Sequence, residues 1–152
     1  MHRVIITVIV LLLVAATVAV AVTARPYAAP CVMRAGTPVA VVLQVSLDTE
    51  ASEAGDRFSA RVAAPIMVDG KVAVPEGAFL HGHVVLSDPV SRDGRRGRLI
   101  LAYDQLRFGG NAYGLSARSG VYHARQGTDL DAGSNLRFTL DRDVSVRPAR
   151  SA

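Results

Sequence analysis

From residue 38 onward, apolar side chains recur at every second position, and this alternation constrains the chain more than any other feature. Val39, Val41, Leu43, Val45 and Leu47 share one face of VAVVLQVSL, a period that a strand supports and a helix does not. The pattern repeats in DRFSARV, where Phe58, Ala60 and Val62 oppose Arg57, Ser59 and Arg61. It returns in AFLHGHVVL (78–86), RLILAYDQLRF (98–108) and NLRFTLDRDVSV (135–146). In RLILAYDQLRF, Leu99, Leu101, Tyr103 and Gln105 fall on one face, and Ile100, Ala102, Asp104 and Leu106 on the other. Turn residues separate these runs. Asp69-Gly70 sits between IMV and KVAV, and Gly109-Gly110-Asn111 precedes a return strand over 112–117; both read as tight hairpins, whose turn residues need positive φ. The polar stretch 87–97 and the longer Gly-rich stretch 118–134 read as loops.

Short strands at this spacing predict an all-β fold, a small β-barrel or barrel-like sandwich of seven to eight strands over 38–147. A barrel has the advantage of leaving no open edge. Ala35-Gly36-Thr37 precedes the first of these strands and Ala132-Gly133-Ser134 the last. Such similar entries suit first and last strands that are neighbours in a closed sheet.

The N-terminal region follows different rules. Val4 to Val22 is a run of 19 residues without a charge, interrupted only by Thr7 and Thr17. It has no polar face, so it does not suit the surface of a soluble core. Its length approaches the ~20 residues a helix needs to cross a bilayer, which favours a retained anchor. Its start just behind Arg3 and the small residues of Val22-Thr23-Ala24 favour a cleaved secretory signal instead. Under either reading Arg3 stays on the cytoplasmic side and the rest is exported. Residues 1–23 are therefore expected to be an anchor or signal helix, 24–37 a linker punctuated by Pro26, Pro30 and Gly36, and 148–152 a frayed tail. Cys31, the only cysteine, follows Pro30 and lies well beyond the apolar run, so a lipidation site is not expected; it reads as a free thiol in the linker.

Composition narrows the function. Half of the residues are hydrophobic and a fifth are charged, which excludes a disordered chain, and one cysteine excludes a disulfide scaffold. The formal charge is +4, but 16 of the 17 cations are Arg, Lys71 being the exception. That bias reflects codon usage in a GC-rich genome, so it is discounted as a nucleic-acid signal and no nucleic-acid partner is expected. No nucleotide-binding fingerprint and no G-x-S-x-G elbow occurs.

Three groups of side chains are candidates for chemistry. His81 and His83 are two apart on one strand and project from the same face, which a metal site could use if a third ligand arrived from a neighbouring strand; His123 is the other exported histidine. The pairs Asp129/Asp131 and Asp141/Asp143 have the same spacing but lie in polar, Gly-containing surroundings, where solvated carboxylates are the expectation. The loop SRDGRRGR carries Arg92, Arg95, Arg96 and Arg98 around Asp93. A guanidinium fork suits anionic partners, such as lipid headgroups or an acidic protein surface. The loop lacks the interleaved aromatics of RNA-binding segments. Catalytic, cofactor and metal residues are accordingly not assigned.

The segments AGTPVAVVLQVSLD, GDRFSARVAAPIMVDGKVAVPEGAFLHGHVV and GRLILAYDQLRFGGNAYGLSA share a further grammar. An AGT entry leads to GD-x-F-x-A, then V-x-V-P-x-G-A-x-L-x-G-x-V, then an apolar strand ending in L-x-F-x-G. Over residues 35–117 this resembles the β-barrel domain of TrbI-like proteins, the conjugal-transfer and type IV secretion scaffolds. The resemblance implies a barrel behind a membrane segment and a Pro-containing linker. Those scaffolds carry a long Pro-rich arm and a long helical hairpin; here the linker has 14 residues, and 118–134 is too short and Gly-rich for the hairpin. The chain is expected to be a short stand-alone relative: a non-enzymatic, exported cell-envelope protein, held at the inner membrane through residues 4–22, whose β domain interacts with envelope proteins or with itself. A reduced secretion component forming a ring, and an exported metal-binding protein or enzyme using His81 and His83, are the alternatives.

Overall fold

The computed structural model describes residues 29–124 and 130–148. Eleven strands make up the regular structure of these residues: β1 (Cys31–Met33), β2 (Pro38–Leu43), β3 (Arg57–Val62), β4 (Ile66–Val68), β5 (Lys71–Val74), β6 (Phe79–Asp88), β7 (Gly97–Phe108), β8 (Asn111–Ser119), β9 (Tyr122–Ala124), β10 (Asn135–Leu140) and β11 (Val144–Val146). Six of them close a barrel. They run in the order β6-β3-β2-β10-β8-β7, and β7 pairs with β6 to complete the ring. Every pairing is antiparallel. β9 pairs with the first residues of β7, beyond the point where β8 leaves it. The all-β barrel expected from the alternation is thus present, built on six strands rather than seven or eight. The expected helix over residues 4–22 and the tail from 149 lie outside the described residues.

The alternation places the core. Phe58, Ala60 and Val62 of β3 and Leu136, Phe138 and Leu140 of β10 are buried, with the intervening residues outward. At the centre the Tyr103 ring stacks on Phe138, with centroids 3.9 Å apart and planes at 18°, and meets Phe58 edge-on at 5.5 Å. Such aromatic contacts add to the burial energy of the rings themselves.

Both hairpins form as the turn residues require. Asp69 and Gly70 have φ of 50° and 74°, and Gly109 and Gly110 have 55° and 78°. The similar entries also meet. β2 and β10 are neighbours, and their ladder is finished at one end by Gly36 N donating to Leu140 O (2.7 Å) and at the other by Gly133 N donating to Leu43 O (2.7 Å). Both glycines adopt positive φ, which turns the chain into each strand.

Four departures have physical causes. The first strand ends at Leu43 instead of Leu47: Val45 is exposed, and Leu47 folds back to form an isolated bridge with Leu130. The stretch 135–146 splits into β10 and β11, because Asp141–Asp143 turn the chain out of the barrel. The stretch expected to be irregular, 118–134, holds the end of β8 and all of β9. Finally, the region assigned to a linker contains a strand. β1 pairs with β11, and Met33 is buried against the barrel, so the folded domain begins upstream of Pro38. Three residues are too few to show a period, which is why β1 was invisible in the pattern.

The two ends of the barrel differ. At one end start β2 and β6 and finish β3, β7 and β10; there Met33 of β1 and Ile66 of β4 line an apolar crevice with Leu80, Leu106, Phe138 and Leu140. The ribbons β1–β11 and β4–β5 therefore cap this mouth. At the other end β6, β7 and β9 run on past the ring and carry the loop between β6 and β7 outward.

Candidate functional site

The basic loop is the tip of that extended β6–β7 hairpin. Asp88 pairs with Arg98 as the last rung of the ladder, and the Arg98 guanidinium donates to the Asp88 carboxylate through both Nε and Nη2. Within the tip, Gly94 N donates to Ser91 O (3.1 Å), Ser91 N donates to Arg95 O (3.1 Å), and Arg95 Nε meets Asp93 Oδ2 at 3.1 Å. Gly94 adopts a φ of 83°, which lets the loop turn inside this small span. Arg95 and Arg98 are thus engaged by carboxylates. Arg92 and Arg96 are exposed and have no ion-pair partner among the described residues. The four arginines are brought to one tip, but as two internal pairs and two outward charges rather than as a converging pocket. The internal pairs are solvent-exposed, so each contributes less than about 1 kcal/mol to stability.

His81 and His83 project from the outer face of β6, as their spacing predicts, and both are half-buried. The third residue that sequence reasoning lacked is Asp104. Its Oδ2 lies 2.7 Å from His83 Nδ1. The reason is a bulge. Gly82 pairs with Tyr103 and His81 with Gln105, so Asp104 is the extra residue in β7 against β6; the register also shifts at this point where β7 pairs with β8, with the extra residue there in β8. A bulge re-aims side chains locally and shifts the phase of everything beyond it. Before it, Leu99, Leu101 and Tyr103 face inward; after it, Leu106 and Phe108 do, and Gln105 faces out. The expectation that Gln105 shares the face of Tyr103 is corrected accordingly. His81 stands between Ser59 and Gln105 on the flanking strands, neither a strong metal ligand. Among the described residues no three histidine, cysteine, aspartate or glutamate side chains come together as a metal site would require.

The remaining candidates are structural. Asp143 Oδ1 accepts a hydrogen bond from Ala35 N (2.7 Å), tying the β10–β11 turn to the chain that follows β1. Asp141 and Asp131 are exposed, and Asp129 lies outside the described residues. His123 is exposed on β9, opposite Arg98. Cys31 is a free thiol, as expected, but it is half-buried on β1 against the core rather than in a linker.

One polar feature was not legible in the sequence. The phenol oxygens of Tyr103 and Tyr122 are both buried, and neither meets a hydrogen-bond partner in good geometry. Burial raises the Tyr103 phenol far above its ordinary value, and the neighbouring Tyr122 adds to the effect; burial raises Tyr122 as well, against hydrogen-bonding contributions from Tyr103 and Ser119 that lower it. Ser119 itself is committed, receiving Leu101 N (3.0 Å) and donating to Gly120 O (2.8 Å). Both phenols therefore stay protonated at neutral pH, unsuited to act as bases.

No family model matches the chain, and no curated protein matches its sequence.

Proposed function

We propose that the chain is a non-enzymatic, exported cell-envelope protein whose β-barrel serves interaction or scaffolding at the membrane. One observation carries this reading: the barrel interior is occupied by aliphatic side chains around the Phe58–Tyr103–Phe138 stack, while the charged groups sit on the outer surface and on a projecting basic hairpin. A filled barrel presents surfaces rather than a reaction chamber. The uncharged run 4–22 supplies the attachment. Arg92 and Arg96, held outward at the tip, suit an acidic protein surface. The test is to fuse a reporter enzyme that is active only after export to the C-terminus and to fractionate the cells. Reporter activity in the membrane fraction is expected. An inactive reporter overturns the export reading, and an active one released into the soluble fraction replaces the anchor with a cleaved signal.

A second reading is a reduced conjugal-transfer or type IV secretion component, supported by the AGT, GD-x-F-x-A and V-P-x-G-A motifs together with the barrel they lie in. It requires self-association into a closed ring. Light scattering after size-exclusion chromatography of the full chain in detergent separates the two: a monomer supports a lone interaction domain, and a discrete large oligomer supports the ring.

A further inference from the structure

We propose that the β1/β4–β5 mouth of the barrel rests on the phospholipid bilayer surface, with the basic hairpin directed away from it. The inference deepens the membrane-tethered reading above and rests on it. Its starting point is a group of exposed apolar side chains on the ribbons at this mouth; of the other large exposed apolar side chains among the described residues, Phe79 opens β6 at the same end, while Val45 and Val121 lie away from it. Val32 on β1, Met67 on β4 and Val72 on β5 are 47%, 53% and 37% exposed. Met67 and Val72 are direct cross-strand partners, so they stand side by side on the hairpin's outer face. Met33 and Ile66, the neighbours of Val32 and Met67, turn inward into the crevice at the barrel mouth. All three exposed residues therefore belong to the ribbons that cap this one end, on the sides turned away from the core.

The path of the chain selects the occupant. The apolar run ends at Val22, and Ala29 opens the described residues, two before β1. Seven Cα steps reach at most about 25 Å even when fully extended. A segment embedded up to Val22 thus delivers the capped mouth, and not the opposite end, to the bilayer surface. Exposed Lys71 at the hairpin turn and Arg34 after β1 flank the apolar residues, as suits an interfacial contact in which apolar side chains enter and cations stay among the headgroups. The β6–β7 hairpin leaves by the other end. β6 has ten residues and spans roughly 33 Å along its own axis, so Arg92 and Arg96 are held well clear of the membrane that anchors the chain. Their partner is then a protein surface and not the lipid of that membrane.

The experiment uses the full-length chain in phosphatidylcholine vesicles containing a lipid with a nitroxide quencher near the headgroup. Met67→Cys, Val72→Cys and Arg92→Cys are made singly in a Cys31→Ser background and labelled with an environment-sensitive fluorophore. Met67 and Val72 are both exposed, so two independent positions report on the same face. The expected result is blue-shifted emission and at least twofold stronger quenching for both hairpin positions than for Arg92→Cys, persisting at high salt. Equal quenching at all three positions, in a chain that floats with the vesicles, overturns the docking and leaves the anchor standing. A chain that does not float overturns both.

Discussion

Gly82 is the residue on which the barrel wall turns most tightly. A Cβ there would lie 2.1 Å from the Ala102 carbonyl oxygen and within 3 Å of two atoms of the Phe58 ring. Backbone cannot move aside as a flexible side chain can, so Gly82→Ala is expected to destabilise the fold by about 1–3 kcal/mol or more in urea unfolding. Gly114 is the contrast: it is exposed, nothing lies within 4 Å of its would-be Cβ, and Gly114→Ala is expected to be neutral or stabilising by up to about 1 kcal/mol. Tyr103 makes a second residue-scale prediction. Its phenol is raised in the folded state, so above its ordinary value near pH 10 the unfolded chain releases a proton that the folded chain keeps. The unfolded state then binds fewer protons, and stability falls as the pH rises. Tyr103→Phe removes that contribution and the unpartnered hydroxyl together. Unfolding measured from about pH 8 to about pH 11 should show a flatter alkaline decline for the variant and no loss at the lower end.

At the scale of elements, β1 and the β7 bulge are where the structure adds most to the pattern. β1 lies in a stretch whose prolines suggest a linker, yet Met33 is 1% exposed and packs beneath the β4–β5 ribbon. Met33→Ala is expected to cost about 2–5 kcal/mol, as deletions of large buried side chains do. A chain beginning at Pro38 should be less stable than one beginning at Ala29, because β11 would lose its only partner strand among the described residues. Equal stability of the two would mean that β1 is dispensable. The bulge matters differently. A strict alternation through 98–108 would bury Gln105 and expose Leu106 and Phe108; inserting Asp104 exchanges their places and aims a carboxylate at His83. The two readings differ by one residue of phase, and nothing in the composition of the strand distinguishes them.

For the whole molecule, closure is the central property. Six strands of modest length bury both ends of the sheet in one another, leaving β9 and the two capping ribbons as the only exceptions among the described residues. The capped mouth and the projecting hairpin then give the barrel a polarity: the two capping ribbons at one end, arginines at the far tip of the other. If the barrel acts alone, light scattering of the full chain in detergent should return the mass of one chain plus bound detergent. A discrete multiple would move the ring-forming reading ahead. Among the described residues no helix is long and apolar enough to cross a membrane; the attachment proposed above uses the run 4–22, which lies outside them.

The sequence by itself determined the strand faces of β3 and β10, the two glycine hairpins and the all-β class, because side-chain alternation and positive-φ turns are local requirements written in adjacent residues. It also hinted, through the paired Ala-Gly entries, that β2 and β10 would be neighbours, as their ladder confirms. Only the tertiary structure decided that six strands close the ring, that Cys31–Met33 joins Val144–Val146, that Asp104 reaches His83, and that Tyr103 and Tyr122 are buried near each other. Those pairings join residues far apart in the chain, where register depends on how every other strand has already packed. No local period carries that information.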